Sequence, residues 1–100
     1  MIYITQLIYI KEGQEKVFDE FENIAIPTIS KYNGKLLMRL RPDAKAYIEC
    51  NMEAPYEIHL VSFESEEDFE RFKNDEERKK YLHLKEQSVQ SSMLILGEKI

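Results

Sequence analysis

The chain has 100 residues, 43% of them hydrophobic and 33% charged, with a formal net charge of −5. That length suits a single domain, 1–100, because chains divide only beyond roughly 250–300 residues, and the composition is globular rather than disordered or collagen-like. The acidic balance argues against nucleic acid or a membrane surface as partner, since phosphates call for a basic stripe, and the single cysteine, Cys50, rules out an internal disulfide framework and suits a reducing cytoplasm.

The first segment, Ile2-Tyr3-Ile4-Thr5-Gln6-Leu7-Ile8-Tyr9-Ile10, is dense in β-branched and aromatic residues and reads as a strand. Ile2, Ile4, Ile8 and Ile10 fall on one face and Tyr3, Leu7 and Tyr9 on the other, so both faces are apolar and the strand is expected at the centre of its sheet. After Lys11–Gln14 the period becomes helical, with Val17, Phe18, Phe21, Ile24, Ala25, Thr28, Ile29 and Tyr32 on one stripe. Pro27 predicts a kink near Asn23–Ile26 or a division into two short helices. Asn33-Gly34 is a stop signal, with the glycine expected to take the left-handed conformation.

Lys35–Arg41 and Tyr56–Phe63 are strand-like. The Pro42–Pro55 connection between them is long for a hairpin, so a projecting arm is expected, with a strand extension over Ala46–Cys50. Ser65-Glu66-Glu67-Asp68 has the spacing of a capping box. It introduces a helix bearing Phe69 and Phe72, a break near Asn74–Glu77, and a second helix with Tyr81, Leu82, Leu84, Lys85 and Val89. The mixed charges of this region read as a solvated helix face. Met93–Leu96 forms a short last strand. No apolar run exceeds four residues, so neither a membrane span nor a signal-peptide core is expected.

The order β-α-β-β-α-β predicts an α+β, ferredoxin-like fold, a four-stranded antiparallel sheet with its helices on one face and the first and third strands central. Helices on one side leave the other apolar face of the first strand uncovered. A second copy of the chain is the simplest cover, which predicts a homodimer through the sheet faces.

Three stretches carry a family resemblance: Tyr9–Phe18, Ile26–Leu37 and Val61–Phe69. They are similar to the strand–glycine–helix start, the proline-bearing helix end with its glycine turn, and the strand-to-second-helix junction of the dimeric α+β barrel proteins. The chain resembles in particular their small uncharacterised bacterial members and the related antibiotic-biosynthesis monooxygenases. The resemblance implies the ferredoxin-like dimer but no one activity, because that superfamily spans oxygenases, isomerases, dehalogenases and haem-degrading enzymes. Tryptophan, which some oxygenase and haem-degrading relatives use in their pockets, is absent.

Among chemistry-bearing residues, His59 lies mid-strand beside Glu57 and can serve as an acid–base group, or be satisfied by a neighbouring side chain. His83 is expected on the surface or at a dimer rim. Arg39 and Arg41 share a side of their strand, where paired guanidinium groups can hold a substrate carboxylate or simply solubilise an edge. Six tyrosines suit a ligand pocket or a wet interface, with Tyr9 and Tyr81 the ligand-binding candidates. Cys50 has no basic neighbour to activate it. Two isolated histidines and one cysteine lack metal-ligand spacing, and three scattered glycines form no phosphate loop, so no metal or cofactor is expected.

The leading expectation is a cytoplasmic homodimer with a small-molecule pocket between sheet and helices. The alternative is a cofactor-independent monooxygenase or isomerase acting on a small carbonyl or aromatic compound, with His59 as acid–base and Arg39 as anion anchor. A third is haem capture by His59 or His83.

Overall fold

In the computed structural model, which describes residues 1–100, strand β1 (Ile2–Ile10) leads into helix α1 (Glu15–Thr28), then β2 (Gly34–Leu40) and β3 (Glu57–Phe63). Three short helices follow, α2 (Glu66–Lys73), α3 (Glu76–Lys80) and α4 (Leu82–Ser88), before β4 (Val89–Gly97). The strands form one antiparallel sheet in the order β2-β3-β1-β4, with β1 and β3 central. This is the ferredoxin-like α+β architecture expected from the element order.

The core lies between the sheet and the helices. Ile4, Val61 and Phe63 from the sheet meet Ile29 and Phe69 from above, with Leu36, Ile26 and Phe72 packed around them. Phe63 touches both Phe69 and Phe72 at ring-centroid distances of 5.4 Å. The molecule measures 36 × 35 × 16 Å, and the short dimension is that of two layers. No helix is long and apolar enough to cross a membrane.

Four local expectations are revised. Helix α1 is not divided at Asn23–Ile26. It runs through Pro27 in its last turn and then tightens into a 3-10 turn over Ile29–Tyr32, where Thr28 Oγ1 donates to the Ala25 carbonyl at 2.6 Å. The left-handed residue that ends this turn is Asn33 (φ 57°), not Gly34. Gly34 instead permits close packing, because a Cβ there would sit 2.5 Å from the Phe63 ring. The Pro42–Pro55 arm contains only a 3-10 turn at Ala44–Ala46, and the strand extension over Ala46–Cys50 does not form. No neighbouring strand offers it a ladder, and Ile48 is fully exposed. Finally, β4 is longer than Met93–Leu96 and begins at Val89, because the open edge of β1 offers partners along its whole length, from Tyr3↔Gly97 to Ile10↔Val89.

The break predicted near Asn74–Glu77 is present between α2 and α3, and Asp75 caps the new helix by accepting from the Arg78 N–H at 2.8 Å. Ser65 caps α2 in the same way through the Asp68 N–H.

Candidate functional site

Strand parity aims Ile4, Gln6 and Ile8 of β1 and Glu57, His59, Val61 and Phe63 of β3 toward the helices, and the register sets Gln6 opposite His59 and Ile8 opposite Glu57. Above them α1 presents Phe18, Phe21, Glu22 and Ala25, and the 3-10 turn that follows presents Ile29. The positions 18, 22, 25 and 29 make one helical stripe in which Glu22 is the only charge. Sheet and helices enclose a cavity of about 60 Å³, lined by 18 residues of which 13 are hydrophobic. Its polar groups are Gln6, Glu22, His59, Arg78 and Lys85. Leu94 lines it at the β4 side and is 44% exposed, so the cavity reaches the surface along that edge.

At one end of the cavity stands a locked cluster. The Glu57 side chain is wholly buried. Its Oε2 accepts from Arg39 Nε at 2.8 Å and from His59 Nε2, and its Oε1 accepts from Arg41 Nε at 2.6 Å. Asp19 on α1 pairs with Arg41 and lies 3.8 Å from Arg39. Burial alone would raise the Glu57 carboxyl, but hydrogen bonds from His59, Arg39 and Arg41 outweigh it and hold its pKa at about 2. Glu57 is therefore a carboxylate at neutral pH and accepts only, so His59 Nε2 is the donor in their hydrogen bond. The other ring nitrogen, Nδ1, makes no hydrogen bond with the protein.

Arg39 reaches this cluster because of a register shift between Leu36 and Met38 where β2 pairs with β3. The shift lets Leu36, opposite Val61, and Arg39, opposite His59, share the helix side despite a spacing of three.

The cavity's other ionisable groups are unpaired. Glu22 is buried with no hydrogen bond or ion pair, and desolvation raises its pKa above the ordinary carboxyl value against the pull of His59. Burial lowers the pKa of Arg78, and it also lowers that of Lys85, to which the Arg78 charge adds. The Arg78 guanidinium lies 5.2 Å from the Phe72 ring centroid and 5.8 Å from that of Phe21.

Of the residues singled out from sequence, His59 lines the cavity. Arg39 does not, and its guanidinium is engaged by Glu57 and Asp19. Tyr9 stands outside and donates its hydroxyl to the Glu53 carbonyl at 2.8 Å, anchoring the arm. Tyr81 lies at the α3–α4 junction, off the cavity lining, next to exposed His83 at a ring distance of 6.3 Å. Cys50 is exposed in the arm. Gln6, Glu22, Arg78 and Lys85 are the site residues that sequence reading passed over. Gln6 and Glu22 had a visible signal, a polar residue interrupting an otherwise apolar stripe.

No protein-family model matches the chain, and no curated protein matches it. Solved structures do. A protein of unknown function from Rhodopseudomonas palustris superposes with a TM-score of 0.83 at 13% identity, covering 99% of this chain and 82% of that one. A NIPSNAP family protein with unknown function from Agrobacterium tumefaciens gives 0.71 at 16% identity, over 97% and 86% of the two chains. An Arabidopsis thaliana protein gives 0.76 at 14% identity, over 100% and 96%. At such identities the likeness is one of fold.

Proposed function

We propose that this chain is a small-molecule-binding protein that works as a homodimer, taking a small, partly apolar ligand into the cavity between sheet and helices. The supporting observation is the cavity itself, with five polar groups converging inside an apolar lining. The NIPSNAP family protein from Agrobacterium tumefaciens that shares this fold is itself described as of unknown function, so the reading rests on the site rather than on kinship. Amide shifts from a fragment library, followed by NMR, test it. Binders are expected to perturb Gln6, Glu22 and His59, and Ala25→Leu, which fills the cavity, to abolish those shifts. Fragments that perturb only surface residues would overturn the reading.

The dimer is supported by the bare side of the sheet. Tyr3, Leu7, Leu60, Met38, Met93 and Ile95 lie on the side away from the helices by register, and Met38, Met93 and Ile95 are about half exposed. Light scattering at micromolar concentration reads the mass. A dimer that Leu7→Lys converts to monomer is expected, and a stable wild-type monomer refutes it.

A second reading, proton-transfer catalysis on a small carbonyl compound, is favoured by one observation. Glu57 orients His59 through Nε2 as the carboxylate of a catalytic triad orients its histidine, leaving Nδ1 as a base. Deuterium exchange from heavy water into small ketones, lost in His59→Gln, is the expected signature, and equal exchange by the variant removes the reading. Haem capture has the least support, since His59 Nε2 is bound to Glu57 and His83 is off the cavity.

A further inference from the structure

Three charged side chains line the cavity without a counter-ion in contact. Lys85 and Glu22 each line it and make no hydrogen bond or ion pair with the protein. Arg78 donates only through Nη1, to the Lys73 carbonyl at 3.2 Å, while its Nε is buried with no acceptor. A buried guanidinium N–H without an acceptor is costly, and more so for a charged donor. The guanidinium is held in place by the rings of Phe21 and Phe72, so its unfilled donor edge is presented at low entropic cost.

Glu22 offsets the two cations only in part: it attracts both without touching either, but burial is the larger influence on Arg78, burial and the neighbouring Arg78 both work against the charge on Lys85, and burial favours the neutral acid form of Glu22. A cavity with two desolvated cations and a carboxyl biased toward neutrality favours an anion. The rest of the lining says which sort: Phe18, Phe21, Ala25, Ile29 and Val61 surround the charges, and the volume is small. A phosphate would bring more charge than this apolar lining can solvate. A carboxylate on a short carbon chain matches both parts, one planar anion for Arg78 and Lys85 and an apolar body for the phenyl and aliphatic wall. Protonated Glu22 can add a hydroxyl donor to the same carboxylate.

We propose that the ligand is a short-chain monocarboxylate, its carboxylate received by Arg78 Nε and by Lys85 and its carbon chain lying against the α1 aromatics. The proposal rests on the cavity being a ligand site, as inferred above.

Calorimetric titration of the full chain with butyrate, butyramide and inorganic phosphate tests it. Butyrate is expected to bind at least about tenfold more tightly than butyramide, in keeping with a charge-assisted hydrogen bond. Arg78→Met and Lys85→Met are each expected to weaken butyrate about 10- to 100-fold and leave butyramide unchanged, whereas Lys80→Met, at an exposed position, leaves both unchanged. Equal affinity of the wild-type chain for acid and amide overturns the carboxylate assignment and leaves the cavity reading standing. Phosphate binding as tight as butyrate also overturns it, by showing a plain anion site. Failure of both butyrate and butyramide at millimolar concentration overturns the monocarboxylate proposal, while the fragment-induced amide shifts at Gln6, Glu22 and His59 decide the cavity reading separately. The wild-type comparison needs no variant, so misfolding of Arg78→Met does not shelter the claim.

Discussion

Glu57 is the residue whose replacement should say most about how this site is held. Its carboxyl loses three charge-assisted donors, from Arg39, Arg41 and His59, when changed to the isosteric Gln. The fall in its pKa from 4.5 to about 2 corresponds to about 3 kcal/mol of folding free energy, at about 1.4 kcal/mol per tenfold in proton affinity. Because the folded value lies below the unfolded one, this stabilisation is present in full above pH 4.5 and is lost as pH falls toward about 2. Urea unfolding of wild type and Glu57→Gln across pH should therefore show a gap of about 3 kcal/mol that holds from neutrality down to about pH 4.5 and narrows below it. Asp68 and Asp75 also have lowered pKa values, but they titrate alike in both proteins and drop out of the difference. A gap independent of pH would refute the reasoning, since it would mean that Gln fails for reasons of fit and not because a carboxylate is needed.

Glu22→Gln should do the reverse: its folded pKa is raised, so wild-type stability falls as pH rises past the ordinary carboxyl value, and the variant should have the higher urea midpoint at neutral pH with the advantage vanishing in acid. Gly34→Ala should cost about 1–3 kcal/mol in thermal unfolding, as its methyl would meet the Phe63 ring at 2.5 Å and Ile29 Cγ2 at 2.7 Å. Ser65→Ala removes the acceptor of the Asp68 N–H and should lower stability by about 1 kcal/mol in the same assay.

The sheet order was legible from the order of the elements, and the central place of β1 from a property that a single segment carries, its two apolar faces. The site was legible in part for a similar reason. His59 and Glu57 sit two apart on one strand, so they share a face whatever the strand pairs with. Arg39 joins them only through the shift in the β2–β3 register, which is a matter of pairing and has no local marker. Arg78 and Lys85 belong to a stretch rich in mixed charge that reads as a solvated face, and their burial is decided by how α3 and α4 settle against α1. The Ala46–Cys50 segment failed as a strand for the opposite reason: its local propensity is adequate, but no edge stands beside it to receive its hydrogen bonds.

The two carboxyls near His59 are driven in opposite directions by their different surroundings. Glu57, on the sheet, is buried among donors and stays ionised, while Glu22, on the helix above, is buried among apolar side chains and is biased toward its acid form. Such a divergence is how one protein holds a base and an acid together at one pH. Glu57 accepts from His59 Nε2 and so orients the ring, whereas burial biases Glu22 toward the acid form, which can donate. A ligand carboxylate placed between Arg78 and Lys85 would supply the negative charge that those two cations lack, and it would disfavour ionisation of Glu22 further. A ligand that binds as an anion should therefore raise the Glu22 pKa where its amide does not.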